Sequence, residues 1–195
     1  MLFMSDNKKY KACFLDRDGV VNVEKSYVHK LEDLIVYEET YEAVKLLKDN
    51  AYKVIVITNQ GGVAKGYYKE SDIHAVHKEI DRLLNIRALS IDAYYYCLHH
   101  PEGSIKEYTL DCECRKPAPG MIFQAAEDFN IDLSLSFMIG DKMSDIKAAR
   151  KAGCTGILVE TGHGLEHRDK AISKSIIVKK NILEAVKYYL FQRTD

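Results

Sequence analysis

The chain has 195 residues, of which 47% are hydrophobic and 29% charged, as expected for a globular domain that buries a core. A formal charge of −1 argues against nucleic-acid binding, which usually requires a basic surface. No apolar run reaches the roughly 18 residues that a membrane helix needs, and the start of the chain lacks the apolar segment of a signal peptide. We therefore expect a cytoplasmic protein without membrane or nucleic-acid partners, whose cysteines stay reduced.

Short apolar segments alternate with amphipathic patterns along the chain. The predicted buried strands are Ala12–Leu15, Val54–Thr58, Ala93–Cys97, Phe137–Ile139 and Gly156–Val159. The predicted helices are Glu39–Asp49, Ser71 to about Leu84, Pro119–Phe129, Ser144–Ala152 and Ile182–Phe191. This alternation predicts the α/β class, with a Rossmann-like parallel sheet and helices on both faces, in a single domain over residues 1–195.

Two predicted connections are long. The segments Gly19–Glu38 and Leu98–Pro119 exceed ordinary connections between a strand and a helix, and long loops of this kind tend to be functional. We expect such loops, and no large cap domain, to cover the site. The lysine-rich segment Lys170–Lys180 is predicted to be a solvated face around a short edge strand.

Polar residues follow the carboxyl ends of the predicted strands, where parallel sheets bind their ligands. They supply two carboxylate pairs, a hydroxyl, two amides and two cations: Asp16, Asp18, Thr58, Asn59, Gln60, Arg115, Lys116, Asp141 and Asp145. A phosphoryl-transfer site needs a nucleophile, a divalent cation and donors to the phosphate oxygens. The alternative is that Asp16-Arg17-Asp18-Gly19 forms only a turn, because Asp and Gly are common turn residues. Four such segments together favour the phosphoryl-transfer site.

Four sulfur and imidazole ligands occur in two close pairs, Cys97 with His99 and Cys112 with Cys114. Their number and spacing suit a tetrahedral structural Zn²⁺ that would pin the loop over residues 97–114. His100 is an alternative to His99, and a redox-active Cys-x-Cys pair is an alternative to the metal site. Cys13 and Cys154 lie within predicted apolar runs and are expected to be core residues.

The motifs Asp16-Arg17-Asp18-Gly19, Thr58-Asn59, Lys116 and Gly140-Asp141 with Asp145 resemble the four motifs of the haloacid dehalogenase superfamily of phosphatases. They occur in the same order along almost the whole chain. The cysteine and histidine segments, together with Arg115-Lys116-Pro117, are similar to the heptose-bisphosphate and histidinol-phosphate phosphatases within that superfamily.

The resemblance implies a role for each motif residue. Asp16 would be the nucleophile that becomes phosphorylated, and Asp18 the general acid and base. Thr58 and Lys116 would bind the phosphate oxygens. Mg²⁺ would be held by four residues: Asp16, Asp18 through its carbonyl, Asp141, and Lys142 through its carbonyl. Asp145 would orient Lys116 or a water molecule on the metal.

The resemblance also implies the substrate and its contacts. The substrate would be a phosphorylated sugar, a heptose bisphosphate, used in the synthesis of an activated heptose for surface polysaccharide. The contacting residues would be Glu24, Lys25, Ser26, Tyr27, Asn59, Gln60, Gly61 and Arg115. Arg115 would hold the second phosphate, since its fork of donors suits bidentate binding. A monomer is expected.

The chain departs from the family pattern at two positions. Val20 stands where Thr is common, and Gly61 stands where Ser is common. Both changes keep the backbone N–H groups. The two departures therefore weaken the assignment of the substrate more than the assignment of the catalytic residues. Histidinol phosphate is the alternative substrate. A phosphate-accepting receiver domain and a zinc-based nucleic-acid-binding module are alternatives from other classes.

Overall fold

Six strands form a parallel sheet in the computed structural model, which describes residues 9–192. The strands are β1 (Lys11–Leu15), β2 (Tyr52–Asn59), β3 (Ala93–Cys97), β4 (Phe137–Gly140), β5 (Thr155–Val159) and β6 (Ile177–Lys179). Their order across the sheet is β3-β2-β1-β4-β5-β6, and every neighbouring pair is parallel. The prediction of a parallel sheet is confirmed.

Six α-helices connect or follow these strands in the described part of the chain. They are α1 (Glu38–Asp49), α2 (Glu70–Asn85), α3 (Gly120–Asp128), α4 (Met143–Ala152), α5 (Gly164–Ile172) and α6 (Ile182–Lys187). A π-helical turn over Tyr188–Gln192 follows α6. Across residues 9–192, no helix combines the length and apolarity that crossing a lipid bilayer requires.

Both faces of the sheet are buried because successive strand residues point to opposite sides. Cys13 and Leu15 of β1 pack into one apolar cluster with residues of α1, α2 and α6. Ala12 and Phe14 pack into a second cluster with residues of α3 and α4. Helices therefore cover both faces, as predicted.

The helix α5 was not predicted from the sequence. Only Gly164 and Ala171 of this helix are buried, while Leu165 and Ile172 are exposed. Because the helix lacks a continuous apolar stripe, its sequence carries little of the periodicity on which helix prediction depends. The short edge strand expected in the lysine-rich segment is β6.

Two helix starts differ from the prediction, which placed them at Ser71 and Ser144. The structure places Lys69 before α2 and Lys142 before α4. In each case the carboxylate three residues later accepts the main-chain N–H of the lysine, at 2.8 Å for Asp72 and 2.9 Å for Asp145. The acidic half of a capping box therefore defines both helix starts.

The strand order reverses at the neighbouring strands β1 and β4, because the chain leaves β1 toward β2 and leaves β4 toward β5. Ligands bind at such a switch point in open α/β sheets. The main-chain N–H of Asp16, just after β1, donates to the carbonyl of Ile139 in β4 at 2.9 Å. This bond aligns the two strand ends that carry the acidic motifs.

Candidate active site

Three buried carboxylates lie together where β1 and β4 end. Asp16, Asp141 and Asp145 each place an oxygen within 4.8 Å of the others, and each side chain is almost completely shielded from solvent. Like charges this close repel strongly in a poorly solvated site. The cluster therefore requires positive charge nearby.

Lys116 supplies part of that charge from the long loop between β3 and α3. Its Nζ lies 2.8 Å from Asp16 Oδ1 and 2.8 Å from Asp145 Oδ1, and donates to the carbonyl of Ile57 at 2.8 Å. Burial alone would lower the pKa of Lys116, but the Asp145 and Asp16 carboxylates outweigh it and raise this pKa. Lys116 is therefore a fully charged ammonium shared by two carboxylates.

The remaining negative charge is visible in two pKa values. Burial raises the pKa of Asp16 to about 6, despite the opposing effect of Lys116. Burial and the nearby Asp16 carboxylate raise the pKa of Asp141 to about 8. Burial is the larger cause of both shifts, so an additional positive charge beside these carboxyl groups would favour their ionised forms.

The oxygen atoms of Asp141 and its surroundings are suitable ligands for a magnesium ion. Asp141 Oδ2 accepts the main-chain N–H of His163 at 2.8 Å, whereas Oδ1 is buried and has no hydrogen-bond partner among the described residues. Carboxylate and carbonyl oxygens are the ligands that Mg²⁺ prefers. The predicted ligand Lys142 has its carbonyl near this group, where it accepts the N–H of Asp145 at 3.1 Å.

The residues that end β2 serve three different purposes. Thr58 lines the cavity next to the carboxylates and is buried. The amide of Asn59 accepts the N–H of Lys116 and donates to its carbonyl, both at 3.0 Å, so this side chain holds the lysine main chain. Gln60 donates to Thr58 Oγ1 at 2.9 Å and to Asp18 Oδ2 at 3.2 Å, and accepts from Tyr68 at 2.7 Å. Asn59 and Gln60 thus have their amides engaged by protein groups.

Asp18 lies in a polar surrounding of its own. Arg17, Asn22 and Gln60 all donate to its carboxylate. Burial raises the pKa of Asp18, but the Arg17 guanidinium and the donors of Asn22 and Gln60 outweigh it, so this pKa lies below its usual value. The carboxyl group is therefore held in a fixed orientation in its ionised form.

These groups open onto a cavity of about 470 Å³. Thirteen residues predicted from the sequence line it: Asp16, Asp18, Glu24, Ser26, Tyr27, Thr58, Asn59, Gln60, Gly61, Arg115, Lys116, Lys142 and Asp145. Lys25, a predicted substrate contact, is absent from this lining, and its Nζ lies 3.9 Å from Asp33 Oδ1 instead. Lys25 is exposed, and its neighbours Ser26 and Tyr27, which do line the cavity, have positive φ angles of 56° and 64°.

Four further lining residues were not predicted as active-site residues: Tyr68, His100, Ser144 and His163. His163 stands between two glycines, a setting typical of a turn residue. Its imidazole Nε2 lies 3.8 Å from Glu24 Oε2, and Nδ1 lies 3.0 Å from Glu166. Its position shortly after the predicted strand Gly156–Val159 is a sequence signal that could have placed it at the strand ends.

The four predicted zinc ligands come together beside the cavity. The three Sγ–Sγ distances among Cys97, Cys112 and Cys114 are 3.1, 3.2 and 3.5 Å, and His99 Nδ1 lies 3.5 Å from Cys114 Sγ and 3.8 Å from Cys97 Sγ. A tetrahedral Zn²⁺ with Zn–S bonds of about 2.3 Å spaces its sulfur ligands roughly 3.8 Å apart, whereas a disulfide requires about 2 Å. The donor set fits zinc, and His100 lies in the cavity lining instead.

The cysteine–histidine cluster is linked to the cavity through Arg115. Arg115 Nη1 donates to the carbonyl of His99 at 3.0 Å. A Cβ atom at Gly61 would lie 3.0 Å from the same Nη1, so glycine leaves room for the guanidinium at this position.

Val20, the second departure from the family pattern, is buried in the apolar cluster that contains Leu15. A hydroxyl at position 20 would therefore face the core.

Residues 113–185 match a protein-family model described as "HAD-hyrolase-like". The chain is 39% identical over 180 residues to the D-glycero-beta-D-manno-heptose-1,7-bisphosphate 7-phosphatase of Haemophilus ducreyi, covering 91% of this chain and 97% of that one. It is 41% identical to the D-glycero-beta-D-manno-heptose-1,7-bisphosphate 7-phosphatase of Yersinia pestis, covering 77% of this chain and 81% of that one. It is 42% identical to the D-glycero-alpha-D-manno-heptose-1,7-bisphosphate 7-phosphatase of Photorhabdus laumondii, covering 80% and 86% of the two chains.

A solved structure shares the fold over nearly the whole length. The D,D-heptose 1,7-bisphosphate phosphatase of B. bronchiseptica, complexed with magnesium and phosphate, superimposes with a TM-score of 0.80 at 30% identity and covers 94% of this chain and 99% of that one. Sequence and structure lead to the same relatives. The chain belongs to the heptose-bisphosphate phosphatases of the haloacid dehalogenase-like hydrolases.

Proposed function

We propose that this protein removes the 7-phosphate of D-glycero-D-manno-heptose 1,7-bisphosphate through a phosphorylated Asp16, with Mg²⁺ and Zn²⁺ as its metals. The observation that carries the proposal is the contact of the Asp16 carboxylate with Lys116, at 2.8 Å, inside the cavity. The relatives with 39–42% identity supply the substrate class. Cationic side chains on several sides of the cavity, Arg115, Lys116 and Lys142, suit a substrate with two phosphates.

Two half-reactions follow from the arrangement. In the first, Asp18 takes up a proton when the negatively charged phosphate binds beside it. An Asp16 oxygen then bonds to phosphorus while the bond from phosphorus to the sugar oxygen breaks, and Asp18 gives its proton to that oxygen. In the second, Asp18 takes a proton from a water molecule, whose oxygen bonds to phosphorus as phosphate leaves Asp16. Lys116 and Thr58 bind the non-bridging oxygens, on which negative charge is held throughout.

The metals have separate tasks in this proposal. The carboxylates of Asp16 and Asp141 and the carbonyls of Asp18 and Lys142 would hold Mg²⁺, which supplies the positive charge that offsets the carboxylates and the substrate phosphate. Zn²⁺ would be structural, held by Cys97, His99, Cys112 and Cys114. By fixing the segment just before Arg115 and Lys116, the zinc loop positions two cationic residues of the cavity.

Replacing the nucleophile tests the reaction. Asp16→Asn should lower kcat by a factor on the order of 10⁴ or more, because an amide cannot form the phosphorylated intermediate. Phosphate release is measured from both anomers of the heptose bisphosphate, from fructose 1,6-bisphosphate and from histidinol phosphate, and a heptose anomer should give the highest kcat/KM.

The matched control is Asp169→Asn on the exposed surface of α5, which should behave as wild type. An unchanged kcat for the Asp16 variant contradicts the role of Asp16. A higher kcat/KM for histidinol phosphate than for either heptose bisphosphate contradicts the proposed substrate but not the phosphatase reaction.

Magnesium affinity should depend on pH. In the metal-free protein Asp141, with a pKa of about 8, carries a proton that Mg²⁺ must displace. Affinity should therefore rise by up to about tenfold per pH unit from pH 6 and level off above pH 8. Titration calorimetry at several pH values, in buffers of different ionisation enthalpy, measures both the affinity and the released proton. An affinity that is constant from pH 6 to pH 8 contradicts the displacement of a proton from Asp141 by Mg²⁺.

The zinc assignment is tested by metal analysis of untagged protein. Wild type should contain about one zinc ion per chain, and Cys112→Ser and Cys114→Ser should lose it and unfold at a lower temperature, since a structural zinc contributes to folding. Cys154→Ala is the matched control, because this buried thiol is not among the four clustered ligands, and it should keep the zinc. Wild-type protein without zinc would refute the assignment.

A further inference from the structure

Arg17 stands between the nucleophile and the proposed general acid, and its side chain has no solvent-exposed surface. A guanidinium is rarely buried so completely, because removal of its charge from water costs several kcal/mol. That cost is offset only by close, well-oriented acceptors. The contacts of Arg17 therefore show what its charge is used for.

The guanidinium contacts the proposed general acid Asp18 through a fork. Arg17 Nε and Nη2 lie 3.2 and 3.1 Å from Asp18 Oδ1, and Nη2 lies 2.9 Å from Oδ2. The Asp18 side chain is itself only 14% exposed. The planar arrangement of the donors fixes the carboxylate about its χ angles, which a lysine ammonium would not do.

The same residue contacts two further parts of the site. Arg17 Nη2 also donates to the carbonyl of Val28 at 2.6 Å, at the end of the loop that carries Glu24, Ser26 and Tyr27 into the cavity. The main-chain N–H of Arg17 donates to Asp16 Oδ1 at 2.8 Å. One residue thus links the nucleophile, the general acid and the loop that lines the cavity.

We propose that Arg17 is a positioning residue, which orients the Asp18 carboxyl group for proton transfer to the leaving oxygen of the substrate. The inference rests on the proposed phosphatase reaction and deepens it. Proton transfer requires the acid to lie within about 2.6–3.2 Å of the oxygen that it protonates. A sugar oxygen leaves poorly without that proton, whereas p-nitrophenolate leaves without one. Loss of Arg17 should therefore affect the two leaving groups differently.

The experiment compares wild type with Arg17→Lys and Arg17→Gln in single-turnover reactions of the magnesium- and zinc-loaded protein. With the heptose bisphosphate, the rate constant of the first half-reaction should fall by about 10²-fold or more, the range typical of general acid catalysis, with KM changed much less. With p-nitrophenyl phosphate, the burst of p-nitrophenolate should keep a rate close to that of wild type. Thermal unfolding shows that each variant is folded.

Two controls separate positioning from a merely structural role. Arg82→Lys alters an exposed arginine that is paired with Glu79, and it should change neither rate. In the Asp18→Asn background, Arg17→Lys should cost little further rate on the sugar substrate, because residues that act through one another are not additive.

Equal losses on the two substrates, an unaltered rate on the sugar substrate, or additive losses in the double variant each overturn the role of Arg17. If wild type releases p-nitrophenolate but no phosphate from the heptose bisphosphate, the proposed substrate fails. In that case Arg17 is still tested on p-nitrophenyl phosphate, through the burst rates and the double-variant cycle. If Arg17→Lys alone slows the burst as much as Asp16→Asn does, the positioning of Asp18 by Arg17 is contradicted.

Discussion

The buried ammonium of Lys116, shared between Asp16 and Asp145, is the interaction on which the site depends. Three carboxylates within 4.8 Å of one another could not stay ionised without it, and even with it the pKa of Asp16 is raised to about 6 and that of Asp141 to about 8. The remaining deficit of positive charge is what a divalent cation would supply. The parallel sheet makes this cluster possible, since it brings the ends of β1, β2 and β4 to one edge.

Most of the surrounding structure holds Lys116 and its partners in place. Asn59, at the end of β2, makes two hydrogen bonds to the main chain of Lys116. Asp145 accepts the N–H of Lys142 at the start of α4. The cysteine–histidine cluster ends two residues before Lys116 and holds Arg115 through the carbonyl of His99. Lys116 is thus held by groups from several segments of the chain, and the amides of Asn59 and Gln60, which line the cavity, also hydrogen-bond protein groups.

The sequence predicted the sheet, five of the six helices and the four acidic and basic motifs, because each has a local signal: a β-branched run, an apolar stripe, or carboxylates directly after a strand. It missed α5, whose large apolar residues Leu165 and Ile172 are exposed, and it assigned Lys25 to the cavity, whose lining does not include this residue. The approach of His163 to Glu24 and the hydrogen bond from Arg17 to Val28 join residues more than ten positions apart. Such contacts come from tertiary packing, which no local pattern contains.

A structure with a phosphoryl mimic tests the central claim most directly. Crystals grown with Mg²⁺ and beryllium fluoride should show beryllium bonded to an Asp16 carboxylate oxygen, with fluorides within about 3.2 Å of Lys116 Nζ and Thr58 Oγ1, and Mg²⁺ on Asp141 Oδ1. Beryllium fluoride bound away from Asp16, or Lys116 turned out of the carboxylate cluster when the mimic is bound, would contradict the account.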